Sequence, residues 1–486
     1  MELLDDILRN VEVTKLTGDS SVDIGSIKED SREVSSGDVF VAIEGYEVDG
    51  HRFIADAINK GATAIVYEKE DFLPESGSYV AIKTPDCRKA LAYMASAYYG
   101  DPSESLYVVG VTGTNGKTSV ITMLYRLFRA AGFATGMFST VEVMINGERQ
   151  EATHTTPGPM NIQQVLRQMV DQGCSWCFTE VSSHALDQDR VTAIKFKGGI
   201  FTNITHDHLD YHKTFDHYLK SKKKLFDNLS TEAFALVNAD DKRSGVMVQN
   251  CKGAVFRYGL KNPAEYKGKI LETDFTGTLL EINKKQVYTT TVGDFNASNL
   301  IAAFATADIS GIAEEENLKA LSRIGNIPGR MQVLLAGDIH GVVDYAHSPD
   351  ALQKVLETLK RANKQVGNIY TVIGSGGDRD KAKRPEMGQI AANFSEKAIF
   401  TSDNPRNEDP MAIINEMKEG VKEDLQHKVM THPDRKEAIN LACALAQKGD
   451  VVLVAGKGHE KYQITKGEKH PFDDVAELEQ HLKQKA

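Results

Sequence analysis

The chain has 486 residues, enough for about three domains, and its 41% hydrophobic and 26% charged residues are ordinary for a soluble globular protein. Its formal net charge of −11, with no basic cluster longer than Lys220 to Lys224, argues against a nucleic-acid partner. No apolar run approaches the ~18–20 residues of a membrane span and the N-terminus lacks the features of a signal peptide, so we expect a cytoplasmic protein without membrane insertion.

The first hundred residues contain short β-rich runs around a helical segment. DVFVAIEG and GATAIVYEK are typical of strands, and HRFIADAINK between them is typical of a helix. A further helix, KALAYMASAYYG, is followed by Asp101-Pro102-Ser103, a sequence that breaks helices and predicts a linker. We therefore predict a small N-terminal α/β domain over residues 1–103.

The next segment alternates strands and helices around a glycine-rich loop. An apolar strand, LYVVGV, leads into the loop, and a helix with apolar residues at 3.6-residue spacing follows it. CSWCFTEV and KGGIFTNIT are typical of further buried strands, with helices such as NIQQVLRQMVDQG between. The alternation favours a parallel sheet covered by helices, in which ligands bind at the carboxyl ends of the strands. A second linker near Asn326 to Gly329 limits this central domain to residues 104–328.

Beyond that linker, strands and helices alternate again. The strands are GVVDYAH, NIYTVIGSGG, KAIFTSDNP and DVVLVAGKGHE, and their ends carry Gly, Asp, Asn and His. We predict a Rossmann-like α/β domain over residues 329–486. The predicted fold class is thus α/β with three domains, and we expect a monomer.

The five cysteines are few, odd in number and scattered, which indicates free thiols in a reducing compartment. Cys174 and Cys177 form a C-x-x-C pair, but no second ligand pair or helix start lies nearby. The segment is typical of a buried strand, so we interpret the pair as structural, with a redox protein as the weakest alternative.

Gly113, Thr114, Asn115, Gly116, Lys117 and Thr118 occupy the position of a phosphate-binding loop, between a strand and a helix. Glycines let backbone N–H groups converge on phosphate oxygens, and the helix N-terminus adds partial positive charge. Lys117 is placed to contact the terminal phosphates and the Thr118 hydroxyl to bind Mg²⁺. The strict pattern G-x-x-x-x-G-K-[ST] fails because Val111 stands at its first position, but the context still predicts ATP binding.

Magnesium prefers oxygen ligands, and two strand ends offer candidates. Glu180 ends one strand, and His206, Asp207 and His208 follow the next. The residues alone do not decide among the last three, and each taken singly is more often a hydrogen-bonded residue at a strand end.

Six motifs occur in a characteristic order: TGTNGKTS, TTP, EVSSHAL, TNITHDHLDYH, DYAHSPDAL and DNPR. Together they resemble the Mur ligases of peptidoglycan synthesis, over nearly the whole chain. The motifs look like those of members that add meso-2,6-diaminopimelate to the D-glutamate of UDP-N-acetylmuramoyl-L-alanyl-D-glutamate. The family departs from the strict phosphate-loop pattern as this chain does at Val111.

The resemblance implies an ADP-forming acid–amino-acid ligase that uses ATP and Mg²⁺, with an N-terminal domain for the UDP end of the substrate. It implies a role for several sets of site residues. Magnesium is assigned to Thr118, Glu180 and His208. Further nucleotide contacts are assigned to Asn299, Arg330, Asp344 and His347. The UDP-linked substrate is assigned to Ser31, Thr155, Thr156, Ser182, Gln188 and Arg190.

The resemblance also implies that Lys222 is carbamylated, which makes it a catalytic residue beside Lys117, Glu180 and His208. Carbamylation converts a cation into an anion able to approach Mg²⁺. Without the family, the run of Lys220, Lys222, Lys223 and Lys224 is typical of a solvated helix face.

The DNPR motif points to the amino acid that is added. An arginine grips a carboxylate through two parallel hydrogen bonds, and diaminopimelate differs from lysine by one carboxylate. The family assigns this amino acid to Arg379, Asp403, Asn404, Pro405, Arg406, Gly456 and Glu460. Taken alone, DNPR is equally typical of a surface turn.

Besides the redox protein, four alternatives to this function remain open at this point. Within the family, the enzyme could add L-lysine instead. A folylpolyglutamate-type ligase should lack the DSREVSSGDVF segment and DNPR, and both are present. A phosphate-loop ATPase that is not a ligase would hydrolyse ATP without a carboxylate acceptor. A binding module with an inactive nucleotide site is disfavoured because Lys117, Thr118, Glu180 and His208 are all present.

Overall fold

The computed structural model describes residues 2–46, 48–74, 77–139, 142–151, 158–364 and 366–485, without the side chains of residues 150, 151 and 336. The chain builds three main sheets in succession, each with its own helices. No helix in these ranges is long and apolar enough to cross a membrane.

The first sheet has five strands in the order β2-β7-β6-β5-β4, parallel except for the antiparallel pair β2 and β7. A separate antiparallel pair joins β1 and β3. The elements are β1 (Glu2–Leu3), α1 (Leu4–Leu8), β2 (Lys15–Thr17), β3 (Asp23–Ile24), β4 (Ile27–Lys28), β5 (Val39–Val41), α2 (Ile54–Asn59), β6 (Ala64–Tyr67), β7 (Val80–Lys83) and α3 (Cys87–Tyr98).

The central sheet has eleven strands in the order β11-β10-β9-β12-β8-β13-β14-β15-β16-β17-β18. Its strands are β8 (Tyr107–Thr112), β9 (Thr135–Phe138), β10 (Glu142–Ile145), β11 (Glu148–Glu151), β12 (Trp176–Glu180), β13 (Phe196–Phe201), β14 (Phe234–Asn238), β15 (Ala254–Gly259), β16 (Tyr266–Asp274), β17 (Gly277–Ile282) and β18 (Lys285–Thr289). Its helices are α4 (Lys117–Ala130), α5 (Pro159–Asp171), α6 (Ser183–Asp187), α7 (Leu209–His212), α8 (Phe215–Asp227), α9 (Ser244–Met247), α10 (Asp294–Ile309) and α11 (Glu314–Ser322).

The third sheet has six strands in the order β19-β20-β24-β21-β22-β23, with only the β19–β20 pair antiparallel. A hairpin of β25 and β26 stands apart from it. The elements are β19 (Gln332–Ala336), β20 (Ile339–Asp344), α12 (Pro349–Ala362), β21 (Ile369–Ile373), α13 (Lys383–Phe394), β22 (Lys397–Phe400), α14 (Pro410–Glu419), β23 (Val429–Thr431), α15 (Arg435–Leu445), β24 (Val451–Ala455), β25 (Tyr462–Thr465), β26 (Glu468–Pro471) and α16 (Asp474–Lys485).

The central sheet is buried on both faces, as continuous apolar strands require. One core packs α4 and α10 against it, with Phe128, Leu300 and Phe304 buried between the layers. The opposite core packs α5 and α8, around Leu166, Tyr218 and Phe226. The predicted α/β class with parallel strands at the centre is confirmed.

The two antiparallel edges of the central sheet were not anticipated. At one edge, β10 and β11 form a hairpin whose turn residues, Asn146 and Gly147, both have positive φ angles, of 50° and 99°. Asn-Gly is a strong signal for this turn and is legible in the sequence. At the other edge, β16, β17 and β18 form a meander.

Both cysteines of the C-x-x-C pair are buried, and Cys177 lies within β12. Burial raises the pKa of both thiols, which disfavours the reactive thiolate. All five cysteines are free, in agreement with the structural interpretation.

Candidate functional site

Three adjacent strands of the central sheet position the candidate site. β8 leads into the loop over residues 113–118, β12 ends at Glu180, and β13 is followed by Thr202 and Asn203. Since β12, β8 and β13 are neighbours and parallel, their carboxyl ends meet at one edge. Asn203 holds the loop at Asn115, accepting from its backbone N–H and donating to its carbonyl, both at 3.0 Å.

Two loop positions require glycine. Gly113 has a φ of +154°, and a Cβ there would lie 1.9 Å from Thr202 Oγ1. Gly116 has a φ of +89°, and a Cβ there would lie 2.8 Å from Asn299 Oδ1. α4 begins directly after Gly116, so its free N–H groups and partial positive charge lie at the loop. The arrangement suits an anion.

Two lysines meet at this loop, Lys117 half-buried and Lys222 buried. Lys117 Nζ donates to the carbonyls of Gly113 and Thr114, and Lys222 Nζ donates to that of Gly113, each at 2.9 Å. Burial lowers the pKa of both ammonium groups, and the charge of Lys117 lowers that of Lys222 further. The positive charge of Lys117 favours the approach of anionic groups to this loop.

Lys222 is only 1% exposed, whereas the side chain of Lys220 on the same helix is 69% exposed and pairs with Asp216. The expectation of a solvated face over the whole run is therefore wrong for Lys222 and Lys223, both of which are buried. The reason is the tertiary packing of α8 against β8, which a short charge run does not reveal.

Glu180 and Thr118 supply oxygen atoms beside the loop. Glu180 Oε1 is buried without a hydrogen-bond partner among the described residues, and Thr118 Oγ1 accepts from Arg330 at 3.1 Å. A carboxylate oxygen and a hydroxyl are the donors that Mg²⁺ prefers, and a buried carboxylate oxygen without a partner requires a cation or a donor. These residues fit a magnesium ion.

The three residues after β13 differ in their surroundings. His206 is exposed, while Asp207 is half-buried. His208 has a left-handed φ of 54°, its side chain is 44% exposed, and its Nε2 lies 3.7 Å from Asp207 Oδ2. Desolvation in the cleft lowers the pKa of His208 to about 4, although Asp207 opposes the shift. The shift favours the neutral imidazole, which is the form that binds a metal ion.

A different histidine–carboxylate cluster, not singled out from the sequence, lies nearby. Ligand atoms of Asp187, His212 and His217 lie within 4.8 Å of one another. Asp187 accepts hydrogen bonds from His217, Tyr211 and Ser221 at 2.9, 2.9 and 3.1 Å. These bonds account for the cluster as a structural junction between α6 and α8.

A cavity of about 600 Å³ lies between the central and C-terminal sheets. Six of the ten residues predicted to bind nucleotide line it: Asn115, Gly116, Asn299, Arg330, Asp344 and His347. Gly113, Thr114, Lys117 and Thr118 are not among its lining residues; they lie at the adjoining loop. The cavity is also lined by Asp240, Lys261, Lys269, Asp294, Phe295, Lys354 and Arg361, none of which had a sequence motif to mark it.

Arg330 connects the two sides of this cavity. It donates to Thr118 on the central side, and its guanidinium lies over the Tyr345 ring at 4.3 Å on the C-terminal side. Asp344 is buried and accepts from the backbone N–H groups of Met331 and Ala346 at 2.7 and 2.8 Å. Burial raises the pKa of this carboxyl and lowers that of His347.

The predicted UDP-substrate residues lie where the N-terminal sheet faces the central one. Ser31 is 9% exposed, and Ser182 caps α6 by accepting from the Ala185 N–H at 3.1 Å. Gln188 donates to Tyr211 and accepts from Arg190. Burial raises the pKa of the Glu29 carboxyl in the N-terminal domain, and the charge of Arg190 opposes that shift. Thr155 and Thr156 lie outside the described residues.

The residues predicted to bind the amino acid lie at the carboxyl ends of β21, β22 and β24. Arg406 has a left-handed φ of 51° and donates to the Gly377 carbonyl at 2.7 Å. A Cβ on Gly376 would lie 3.0 Å from Arg406 Nη1 and 3.6 Å from Arg379 Cγ, so both arginines approach this glycine.

Acidic and amide groups belong to the same surface. We call this surface the amino-acid wall, and it comprises the residues predicted to bind the amino acid. Asp403 and Asn404 are buried, and a Cβ on Gly456 would lie 2.6 Å from Asp403 Oδ2. Asn404 Nδ2 donates to Glu460 Oε2 at 2.8 Å. Pro405 is buried between Asn404 and Arg406. The wall therefore offers cations and anions together.

Two lysines of this region were missed from the sequence. Lys457 is fully buried and contacts Glu460 and Asn404. Lys383 Nζ donates to the His347 carbonyl at 2.9 Å, and burial lowers its pKa. The only available signal for Lys457 was its place between two glycines after an apolar strand.

The fold and the site define a phosphate-loop protein of three α/β units with a cleft between the last two. Three family models match it in turn: "Mur ligase family, catalytic domain" over residues 23–99, "Mur ligase middle domain" over 111–307 and "Mur ligase, glutamate ligase domain" over 329–458. The chain belongs to the Mur ligase family.

Two curated relatives are similar over nearly their whole length. One from Cytophaga hutchinsonii is 50% identical over 473 residues, 96% of each chain, and one from Bacteroides thetaiotaomicron is 46% identical over 480 residues, 98% of this chain and 99% of the relative. Both are named UDP-N-acetylmuramoyl-L-alanyl-D-glutamate–2,6-diaminopimelate ligase. A solved structure of that name has 31% identity and a TM-score of 0.71, covering 100% of this chain and 99% of its own.

Proposed function

We propose that this chain is an ATP-dependent ligase that adds meso-2,6-diaminopimelate to the D-glutamate of UDP-N-acetylmuramoyl-L-alanyl-D-glutamate. The reaction belongs to peptidoglycan precursor synthesis in the cytoplasm, with small molecules as its substrates. The names of the curated relatives support it. One observation supports diaminopimelate as the added amino acid, namely the composition of the amino-acid wall. Arg406 and Arg379 approach Gly376 in this wall, and Glu460 lies beside Asn404.

That wall suits one end of a diamino acid. The far carbon of diaminopimelate carries both an ammonium and a carboxylate, and L-lysine lacks the carboxylate. A guanidinium binds a carboxylate through paired charge-assisted hydrogen bonds, and Glu460 offers an anion to the ammonium. With lysine, the guanidinium gains no carboxylate partner, a loss that rejects an analogue by roughly 10⁴-fold where the site is built for the missing group.

A carboxylate is a poor electrophile and must be activated before an amine attacks it. We infer that the γ-phosphoryl group of ATP passes to the D-glutamate side-chain carboxylate, giving an acyl phosphate and ADP. The neutral amine then attacks the acyl carbon, loses a proton, and inorganic phosphate leaves. Lys117 and the N-terminus of α4 lie at the loop where they offset the repulsion between these anions.

Thr118, Glu180 and His208 are the residues that would hold magnesium. Bound there, the ion supplies positive charge to the phosphate oxygens. Two observations support this assignment: Glu180 Oε1 is buried without a hydrogen-bond partner among the residues that the structure describes, and the lowered pKa of His208 favours its neutral imidazole.

Lys222 is the residue we assign to carbamylation. Carbon dioxide adds to a neutral amine, with loss of one proton, to give a carbamate anion. Burial and the neighbouring Lys117 hold the pKa of Lys222 well below its ordinary value, which favours the neutral amine. An anion at this position would also relieve the repulsion between the two lysines.

The test compares amino acids and acceptors in one assay of phosphate release. We expect release that requires ATP, the UDP-linked acceptor and meso-diaminopimelate together, with kcat/KM for L-lysine lower by roughly 10⁴-fold. Equal kcat/KM for the two amino acids would show that the enzyme does not prefer diaminopimelate to lysine, and would overturn the proposal. Release without any acceptor would identify an ATPase that is not a ligase.

A further inference from the structure

The ammonium group of Lys457 is buried in the amino-acid wall. The residue follows β24, its side chain is 0% exposed, and its Nζ lies 3.1 Å from both Asn404 Oδ1 and Glu460 Oε2. Burying an ammonium group is costly unless it is paired and hydrogen-bonded. These two contacts therefore determine where the neighbouring groups lie.

Lys457 fixes the orientation of the Asn404 amide. Asn404 Oδ1 accepts from Lys457 Nζ and from the Ile464 N–H at 2.9 Å, so its Nδ2 is directed to Glu460 Oε2. An amide in the opposite orientation would direct its NH₂ group at the Lys457 ammonium, which has no acceptor atom.

The same contacts leave one oxygen of Glu460 free. Lys457 and Asn404 both bind Oε2, and Oε1 has no hydrogen-bond partner in the part of the chain that the structure describes. The Glu460 side chain is 19% exposed, so a ligand is able to reach it.

We propose that Lys457 is a positioning and specificity-determining residue, which holds Asn404 and Glu460 so that Glu460 Oε1 receives the ammonium at the far carbon of the diamino acid. The proposal rests on the proposed function. Lys457 itself acts through Glu460 and need not touch the substrate.

The charges of the wall explain why a cation at Lys457 matters. Lys457, Arg406 and Arg379 face Asp403 and Glu460, so these five groups carry one net positive charge. The far end of diaminopimelate, with one ammonium and one carboxylate, is neutral, whereas the far end of L-lysine carries one positive charge. Removing the Lys457 charge makes the wall less positive by one charge, which disfavours the carboxylate of diaminopimelate and favours lysine.

The experiment uses the full-length protein with Lys457→Met, which keeps the apolar stem without the ammonium. We expect KM for meso-diaminopimelate to rise roughly 10- to 100-fold, as for loss of a hydrogen bond to a charged group, with KM for ATP and the UDP-linked acceptor nearly unchanged. The kcat/KM ratio of diaminopimelate to L-lysine should fall. The matched control is Lys461→Met on the same loop, since that side chain is 70% exposed and pairs with Asp473 outside the wall.

A double variant separates positioning from general destabilisation. If Lys457 acts through Glu460, Lys457→Met with Glu460→Gln should be no worse than Glu460→Gln alone. Where Lys457→Met does not fold, Lys457→Gln is held to the same criteria. Additive losses, an equal rise in all three KM values or an unchanged selectivity ratio would each overturn the role of Lys457.

The wild-type control distinguishes the two levels of the proposal. No diaminopimelate-dependent phosphate release by the wild-type protein means that the proposed function fails. Normal release by the wild type together with wild-type kinetics for Lys457→Met means that only the role of Lys457 fails.

Discussion

The cleft has two walls, and both are built at the carboxyl ends of parallel strands. The loop wall consists of residues 113–118 with their neighbours. The amino-acid wall is formed by the strand ends around Arg406. The loop wall relies on six consecutive residues, held by backbone conformation and by Asn203. The amino-acid wall relies on side chains from separate strands, held by ion pairs such as Arg384–Glu408 and Lys457–Glu460. Substitutions in the first should affect the reaction with every amino acid, and substitutions in the second should affect which amino acid reacts.

The largest effect should come from Lys222 in the loop wall. Lys222→Met keeps most of the buried volume but removes the nitrogen, and with it the proposed carbamate and the hydrogen bond to the Gly113 carbonyl. We expect kcat with any amino acid to fall roughly 10²- to 10³-fold, the scale for losing one preorganised electrostatic group. The measurement is phosphate release at saturating substrates.

The control for that variant lies two residues away on the same helix. Lys220→Met removes an exposed lysine whose only recorded partner among the described residues is Asp216, and it should behave as the wild type. Equal losses in both variants would show a general effect on α8. A Lys222→Met enzyme that loses activity with diaminopimelate but not with lysine would break the distinction between the walls.

The same difference explains what the sequence could predict. The loop at Gly113–Thr118 and the strands on each side are local, so hydrophobic pattern and glycine placement were enough to locate them. DNPR at Asp403–Arg406 was locatable too, but only through the family resemblance. The burial of Lys222 and the pairing of Lys457 with Glu460 depend on contacts that no local pattern records. The cavity residue Arg361, for example, lies on α12 and reaches Asp294 of the central domain.

An intermediate effect should come from Arg406 in the amino-acid wall. Arg406→Ala removes the proposed partner of the far carboxylate, so kcat/KM for meso-diaminopimelate should fall roughly 10- to 100-fold, the scale of a charge-assisted hydrogen bond. The rate with L-lysine should change less, because lysine has no carboxylate to lose. Initial rates with both amino acids measure this.

A conservative variant sharpens the result. Arg406→Lys keeps the charge but not the planar fork, so it should recover part of the diaminopimelate activity and not all of it. KM for ATP should stay at the wild-type value in both variants. An equal loss of kcat/KM with diaminopimelate and with lysine would show that Arg406 stabilises the wall and does not bind the far carboxylate of the substrate.

The smallest effect should be on stability, through Glu408. Arg384 donates to both carboxylate oxygens of Glu408 at 2.9 Å, and the Asp378 N–H donates to one of them at 2.6 Å, so this pair anchors the turn that precedes Arg379. Arg384 holds the pKa of Glu408 at about 2, below its ordinary value of 4.5. A depressed carboxyl pKa contributes stability above pH 4.5, and that stability is lost as the pH falls toward 2.

Glu408→Gln should therefore lower the free energy of unfolding by about 1–3 kcal/mol at pH 7. The difference from the wild type should shrink as the pH is lowered from 4.5 toward 2, where the wild-type carboxyl also becomes neutral. Glu419→Gln is the control, at the end of α14, the helix that follows Glu408, since Glu419 is exposed and forms no ion pair in the described ranges. Urea unfolding at several pH values provides the measurement. A difference that is independent of pH would assign the loss to packing and not to the charge that holds this wall.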